Sequence, residues 1–249
     1  MDRFSFFSPL PRSEPGGATF TSAYLTPLKI KADWPLLDLH CASGDRATWL
    51  ARSRGCPIVC VDSEPRYMPV VRRRASEGGA GHLVQPVVAS YDALPFADES
   101  FRVVLAESAA LGLGLQKALT TWRRLVAKND FVAVTYPGVV NKDAPPEVRE
   151  PLERRMVEPL RTLADYHTIV RNAGYELVQQ VPLQPELWDA FYADAIRRAW
   201  ALTAANGSTP PKVQKSDALV REVLTEAHWY RRVGRGRVFL QAMLLKRVR

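Results

Sequence analysis

Two stretches carry residue types that could bind or transform a ligand. The first is Leu36-Leu37-Asp38-Leu39-His40-Cys41-Ala42-Ser43-Gly44-Asp45, an apolar run that meets an acid and then a turn of small residues. Small residues let backbone approach a ligand closely, and the helix that starts at Asp45 offers unpaired N–H groups at its first turn. The second is Pro57-Ile58-Val59-Cys60-Val61-Asp62, an apolar run ending in a carboxylate about twenty residues beyond the turn, where such a group can accept both hydroxyls of a ribose. Together they point to a nucleoside-bearing ligand. Each acid also has a plainer use: Asp38 can cap the turn it precedes, and Asp62 can cap a helix beginning near Pro65. Ser90, Tyr91 and Asp92 follow a third apolar run, and Glu107 closes a fourth, with a turn and a rim ion pair as their respective alternatives.

These residues need a scaffold, and the chain supplies a regular one. Strands are predicted at 35–40, 57–62, 83–89, 101–106 and 131–136, with helices over 45–54, about 65–77 and about 115–127. Apolar strands alternating with helices indicate a parallel sheet buried on both faces. In the second half, residues 145–173 read as helix with breaks near Pro151 and Pro159, Gly174 stops them, and a sixth strand covers 175–183. Residues 186–232 read as helix around Trp188, Phe191, Tyr192, Ile196 and Trp200, interrupted by an Asn206–Pro211 linker, and a last strand spans 237–245. The expected fold is α/β: a Rossmann-like, mostly parallel sheet with an antiparallel C-terminal edge hairpin and a helical insertion. Residues 1–34, rich in Pro, Ser and Gly with scattered aromatics, form an N-terminal arm or lid, or an irregular wrap; 35–183 form the core, 184–236 a helical insertion or cap, and 237–249 the closing strand.

Composition narrows the classes. At 249 residues, 47% hydrophobic and 24% charged, the chain is an ordinary globular one that needs no disulfide staples. Its three cysteines, Cys41, Cys56 and Cys60, form no C-x-x-C pair and are expected in a reducing, cytoplasmic setting. No His/Cys/Asp/Glu cluster has ligand spacing, so no metal is expected. No apolar run is long enough to span a bilayer, so no membrane partner is expected. The formal charge of +8 is spread over short doublets and triplets such as 72–74, 123–124 and 154–155, which read as solvated helix faces; nucleic acid stays open but is not favoured.

Over roughly residues 34–182, and again near 237–247, the chain resembles the class I S-adenosylmethionine-dependent methyltransferases, in the small-molecule branch similar to ubiquinone-biosynthesis-type enzymes. The 37–44 stretch looks like the family's glycine-rich first motif, and Val61-Asp62-Ser63 like its ribose-binding acidic turn. Ser90-Tyr91-Asp92-Ala93-Leu94-Pro95-Phe96 with Glu99-Ser100-Phe101 is similar to its adenine-side loop, and Glu107-Ser108-Ala109 lies where the family lines the methyl-transfer pocket. Trp122–Val126 and Ala173-Gly174-Tyr175 fit the same layout. The resemblance implies S-adenosyl-L-methionine as cofactor, a small-molecule acceptor, and a cofactor shell of Asp38, His40, Ala42, Gly44, Asp62, Ser63, Ser90, Tyr91, Asp92 and Glu107.

The chain departs from the pattern where His40 and Ala42 occupy the first two glycine positions of the motif, leaving Gly44 alone. A Cβ there costs roughly 1–2 kcal/mol if φ must be positive, and His40 would crowd the methionine end of the cofactor. The 127–130 turn replaces a Gly-Gly turn with Asn and Asp, which tolerate left-handed backbone. His40 and Glu107 are the candidates for a catalytic role, imidazole being suited to proton transfer near neutrality. Tyr136 and Pro137 are expected to border the substrate pocket, and one or two of Trp188, Phe191, Tyr192 and Trp200 to line an apolar or cationic one. His167 is expected to pack; His82 and His228 carry no signal. Two other readings stay open: a non-catalytic methyltransferase-like binding protein, and an RNA methyltransferase. The oligomeric state is not legible.

Overall fold

The computed structural model describes residues 1–205 and 218–249; the Asn206–Pro211 linker lies outside the described residues. Among them, seven strands form one sheet: β1 (Leu36–Leu39), β2 (Ile58–Asp62), β3 (Val84–Val88), β4 (Phe101–Glu107), β5 (Val126–Val139), β6 (Tyr175–Pro182) and β7 (Val238–Arg247). Their order is β3-β2-β1-β4-β5-β7-β6. The first five pair in parallel, and β7 runs antiparallel to both β5 and β6. The excursion between β6 and β7 is helical as expected, but β7 lies one place in from the edge and β6 forms the edge itself.

Alternation along the strands divides the core in two. Leu36, Ile58, Val103 and Leu105 face one layer, which holds α3 (Asp45–Arg54), α4 (Tyr67–Glu77) and the N-terminal and cap helices. Leu37, Val61, Val104 and Ala106 face the other, with α5 (Leu115–Trp122) and α7 (Leu163–Asn172). The N-terminal stretch is more ordered than its composition suggests. It folds as α1 (Arg3–Phe7) and α2 (Ala18–Leu25), with Phe6, Phe7, Phe20 and Tyr24 all buried in the first layer. Burying each such ring contributes about 1.5–3 kcal/mol, enough to hold a short helix that could not stand alone.

Other boundaries move for identifiable reasons. Helix α5 ends at Trp122, and a 3₁₀ turn leads directly into β5 at Val126, because residues 127–130 loop out of register with Asn129 at φ 73°. Pro151 does not break its helix, α6 (Pro146–Glu153). The Glu147 carbonyl that loses its N–H partner to the proline accepts the Trp229 indole N–H at 2.7 Å instead. The cap is built from α8 (Pro185–Ala205), α9 (Ala218–Trp229) and a π-helical turn over 230–234.

Candidate functional site

The sheet order reverses between β1 and β4, and the carboxyl ends of these two strands open the crevice where open α/β sheets bind ligands. The loop leaving β1 is left-handed at three alternate positions: His40 (φ 61°), Ala42 (φ 45°) and Gly44 (φ 77°). A Cβ at Gly44 would sit 2.9 Å from the Val71 side chain of α4, so packing as well as φ demands glycine there. His40 and Ala42 bear the backbone cost foreseen from their types. The loop is held by Asp62, whose two carboxylate oxygens accept the Ala42 N–H at 2.9 Å and the Glu64 N–H at 3.0 Å. Asp62 therefore ties the β1 and β2 loops together, and two of its four lone-pair sites take no donor from the described residues.

Beneath the loop lies a buried ionic cluster. Arg46, on the first turn of α3, places Nε at 2.9 Å and Nη2 at 2.5 Å from the same oxygen of Asp38, and Nη1 at 2.7 Å from Glu107. Glu107 also accepts the hydroxyls of Thr21 at 2.7 Å and Tyr24 at 2.5 Å, both from α2. Glu14, in the connection between α1 and α2, brings a third carboxylate 3.6 Å from Arg46 and 3.8 Å from His40 Nδ1. Two oxygens in this cluster, Asp38 Oδ2 and Glu14 Oε2, are buried without a hydrogen-bond partner. Burial raises the pKa of Glu14 against the pull of His40 and Arg46, and raises that of Asp38 against the pull of Arg46. Burial works against the Arg46 charge too, but Asp38 and Glu107 outweigh it and keep the guanidinium firmly ionised. Three carboxyl groups around one guanidinium leave unsatisfied acceptors in the cluster at the base of the crevice.

A cavity of about 620 Å³ rises from this floor. His40, Ser90, Tyr91, Asp92 and Ser108 line one end, and side chains from the cap line the other. A small recess of about 40 Å³ adjoins it between the β1 loop and the arm, bordered by Glu14, Thr21, His40, Ala42, Arg46 and Glu107. The 90–98 loop is pinned from behind: Trp122 Nε1–H donates to the Tyr91 carbonyl at 2.8 Å, and Arg124 donates to the carbonyls of Leu94 and Phe96.

Of the residues singled out in the sequence, His40, Ser90, Tyr91 and Asp92 meet at the main cavity, and Ala42 and Glu107 at the recess. Asp38, Gly44, Asp62 and Ser63 border neither space; they support the loops that do. Pro137 lines the cavity, whereas Tyr136 is buried with its hydroxyl donating to Glu158 at 2.6 Å. Trp188 and Phe191 line it, Tyr192 is buried behind them, and Trp200 is 54% exposed. His167 pairs with Gln180 away from the site. Sequence reasoning missed Arg46 and Glu14. Arg46 had a signal: a cation in the first turn opposes the helix dipole and needs an acidic partner. Glu14 lies in a Pro/Ser/Gly-rich connection where no periodicity marks it.

The sheet order, the reversed β7 and a crevice floored by acids at the β1/β4 switch define a methyltransferase-type Rossmann-like fold. Residues 36–129 match the family model of the methyltransferase domain. The chain is 29% identical to an uncharacterised methyltransferase, YodH, of Bacillus subtilis (strain 168), over 70% of this chain and 73% of that one. It is 26% identical to the sarcosine/dimethylglycine N-methyltransferase of Halorhodospira halochloris over 57% of this chain, and spans about half (51%) of that protein's length. A SAM-dependent methyltransferase from Geobacter sulfurreducens, solved in complex with S-adenosyl-L-homocysteine, superposes with a TM-score of 0.82 at 16% identity, covering 99% of this chain and 98% of that one.

Proposed function

We propose that this chain transfers a methyl group from S-adenosylmethionine to a small molecule, within the small-molecule branch similar to ubiquinone-biosynthesis-type enzymes. The observation that carries the reading is the acidic cluster at the base of the crevice: Glu14 lines the cavity, Asp38 lies behind it across Arg46, and Asp38 Oδ2 and Glu14 Oε2 are buried without a hydrogen-bond partner. A buried carboxylate oxygen without a donor is costly, and a cationic ligand that donates to it removes the cost. The cofactor is such a ligand, with an α-ammonium and a sulfonium, and when bound it supplies a methyl group already activated for displacement. Asp38, Glu14 and Glu107 would hold its amino-acid end, with Arg46 balancing the carboxylate. The free lone pairs of Asp62, with Ser63 beside it, would receive the ribose, and Ser90, Tyr91 and Asp92 would flank the base. The chain's own contribution to rate is alignment and exclusion of water, which α1, α2 and the cap provide by covering the crevice. The three cysteines are free and buried, in keeping with a reducing, cytoplasmic setting; no helix among the described residues is long and apolar enough to cross a membrane.

Calorimetric titration tests the reading. Saturable binding of S-adenosylmethionine is expected, and no binding at concentrations able to reveal millimolar affinity would remove it. A second reading, a non-catalytic binding protein, is favoured by the left-handed His40 and Ala42 in a loop that narrows to a 40 Å³ recess. The double variant His40→Gly, Ala42→Gly separates the two: cofactor binding seen only in that variant would establish the second.

A further inference from the structure

We infer that the acceptor is a neutral molecule with a flat, apolar body, an aromatic alcohol rather than a zwitterionic amine; the word acceptor rests on the methyl-transfer reading, the ligand preference of the chamber does not. The end of the cavity away from the acidic floor is walled by Leu111, Leu152, Met156, Trp188, Phe191 and Leu240. Its two aromatic rings are fixed from behind. Trp188 stacks on Tyr230 with centroids 4.8 Å apart and planes at 16°, and Phe191 lies parallel to Phe7 at 6.3 Å. Rigid aromatic faces favour a planar partner, which stacks without ordering the wall first.

The charged groups at this end are already committed to one another. Arg155 pairs with Glu226, and with Glu222 at 3.1 Å; Arg3 pairs with Glu222 at 3.3 Å; Tyr192 donates to Glu226 at 2.9 Å. Among the described residues, no cation lining this end lacks an acidic partner, so a substrate carboxylate would have to break an ion pair to find one. The carboxylates here are paired as well, so a substrate ammonium meets the same obstacle. A small zwitterion would bring two charges and little apolar surface to a chamber suited to the reverse. A single hydroxyl is different: it can point toward His40 and Ser108 while the rings lie against Trp188 and Phe191.

Calorimetry on the full chain without cofactor tests this, using 2-naphthol and sarcosine as probes. Saturable binding of 2-naphthol is expected, at least tenfold tighter than sarcosine. Trp188→Ala should weaken 2-naphthol about tenfold, whereas Trp200→Ala, on the exposed face of the same helix, should leave it unchanged. Met156→Gln, at a half-exposed wall position, should weaken it several-fold and serves if Trp188→Ala does not fold. Sarcosine binding as tightly as 2-naphthol, or 2-naphthol binding undiminished in both folded wall variants, would overturn the inference. Titrating S-adenosylmethionine into the same protein keeps the two claims apart. Binding of 2-naphthol without the cofactor supports the chamber's preference and removes the methyl-transfer reading; binding of the cofactor without 2-naphthol does the opposite.

Discussion

Arg46 holds the site together at the scale of single residues. Among the described residues it is the one guanidinium touching Asp38, Glu107 and Glu14, and its side chain is only 10% exposed. Arg46→Ala would leave buried carboxylates without their counter-charge, and urea denaturation should show a loss of about 3–5 kcal/mol. Glu14 should behave in the opposite sense. Burial raises its carboxyl pKa in the folded chain, so the stability it contributes is fully present below its unfolded value and is lost as pH rises through the folded one. Glu14→Gln escapes that loss. Its Tm should exceed that of the parent at pH 7, by less at pH 4.5, while its affinity for a cationic cofactor falls; a Tm difference that shrinks as pH rises would mean the charge is stabilising. Much of this level was legible: Asp38, Asp62 and Glu107 stand at strand ends that the apolar runs mark out. Of the partners, Arg46 could be read from its place on the first turn of α3, whereas Glu14 could not, because it reaches the cluster only as the arm folds over the β1 loop.

Elements were easiest to read where the pattern is strictest. Helix α3 spans Asp45–Arg54 as its turn and Gly55 stop require, and the parallel strands coincide with the apolar runs to within a residue or two, except β5, which starts at Val126, ahead of the out-of-register residues 127–130, and runs on to Val139. Prolines and glycine-rich segments misled, since their effect depends on what lies across from them. Pro151 stays helical because Trp229 serves the orphaned Glu147 carbonyl from another element. Trp229→Phe keeps the ring and removes the donor, and should cost about 1–3 kcal/mol in thermal or chemical denaturation. An unchanged stability would show that water satisfies that carbonyl instead. The arm is the other case: with Phe6 and Phe7 in the core, it is a structural part of the cleft wall and places Glu14 at the floor.

For the whole molecule, a formal charge of +8 suggests an anionic partner until the arginines are followed to their neighbours. Arg66 pairs with Asp2 and Glu64, Arg102 with Asp130, Arg124 with Asp98 and Arg235 with Asp189, so much of the basic count is spent on local pairs, while the crevice itself is acidic. That contrast favours a cationic cofactor over a polyanion. A ligand that binds the folded chain alone should also stabilise it: S-adenosylmethionine at a hundred times its Kd should add about 2.7 kcal/mol and raise Tm accordingly.

The most direct measurement is a crystal structure of the chain grown with S-adenosylhomocysteine, the product that retains the α-ammonium and the nucleoside. Density is expected across the tips of β1 and β2, with the ribose at Asp62, the base beside Ser90–Asp92 and the ammonium at Asp38 and Glu14. A crevice still closed by His40 and Arg46, with the sheet intact and no ligand above Gly44, would contradict the cofactor assignment and leave only the fold.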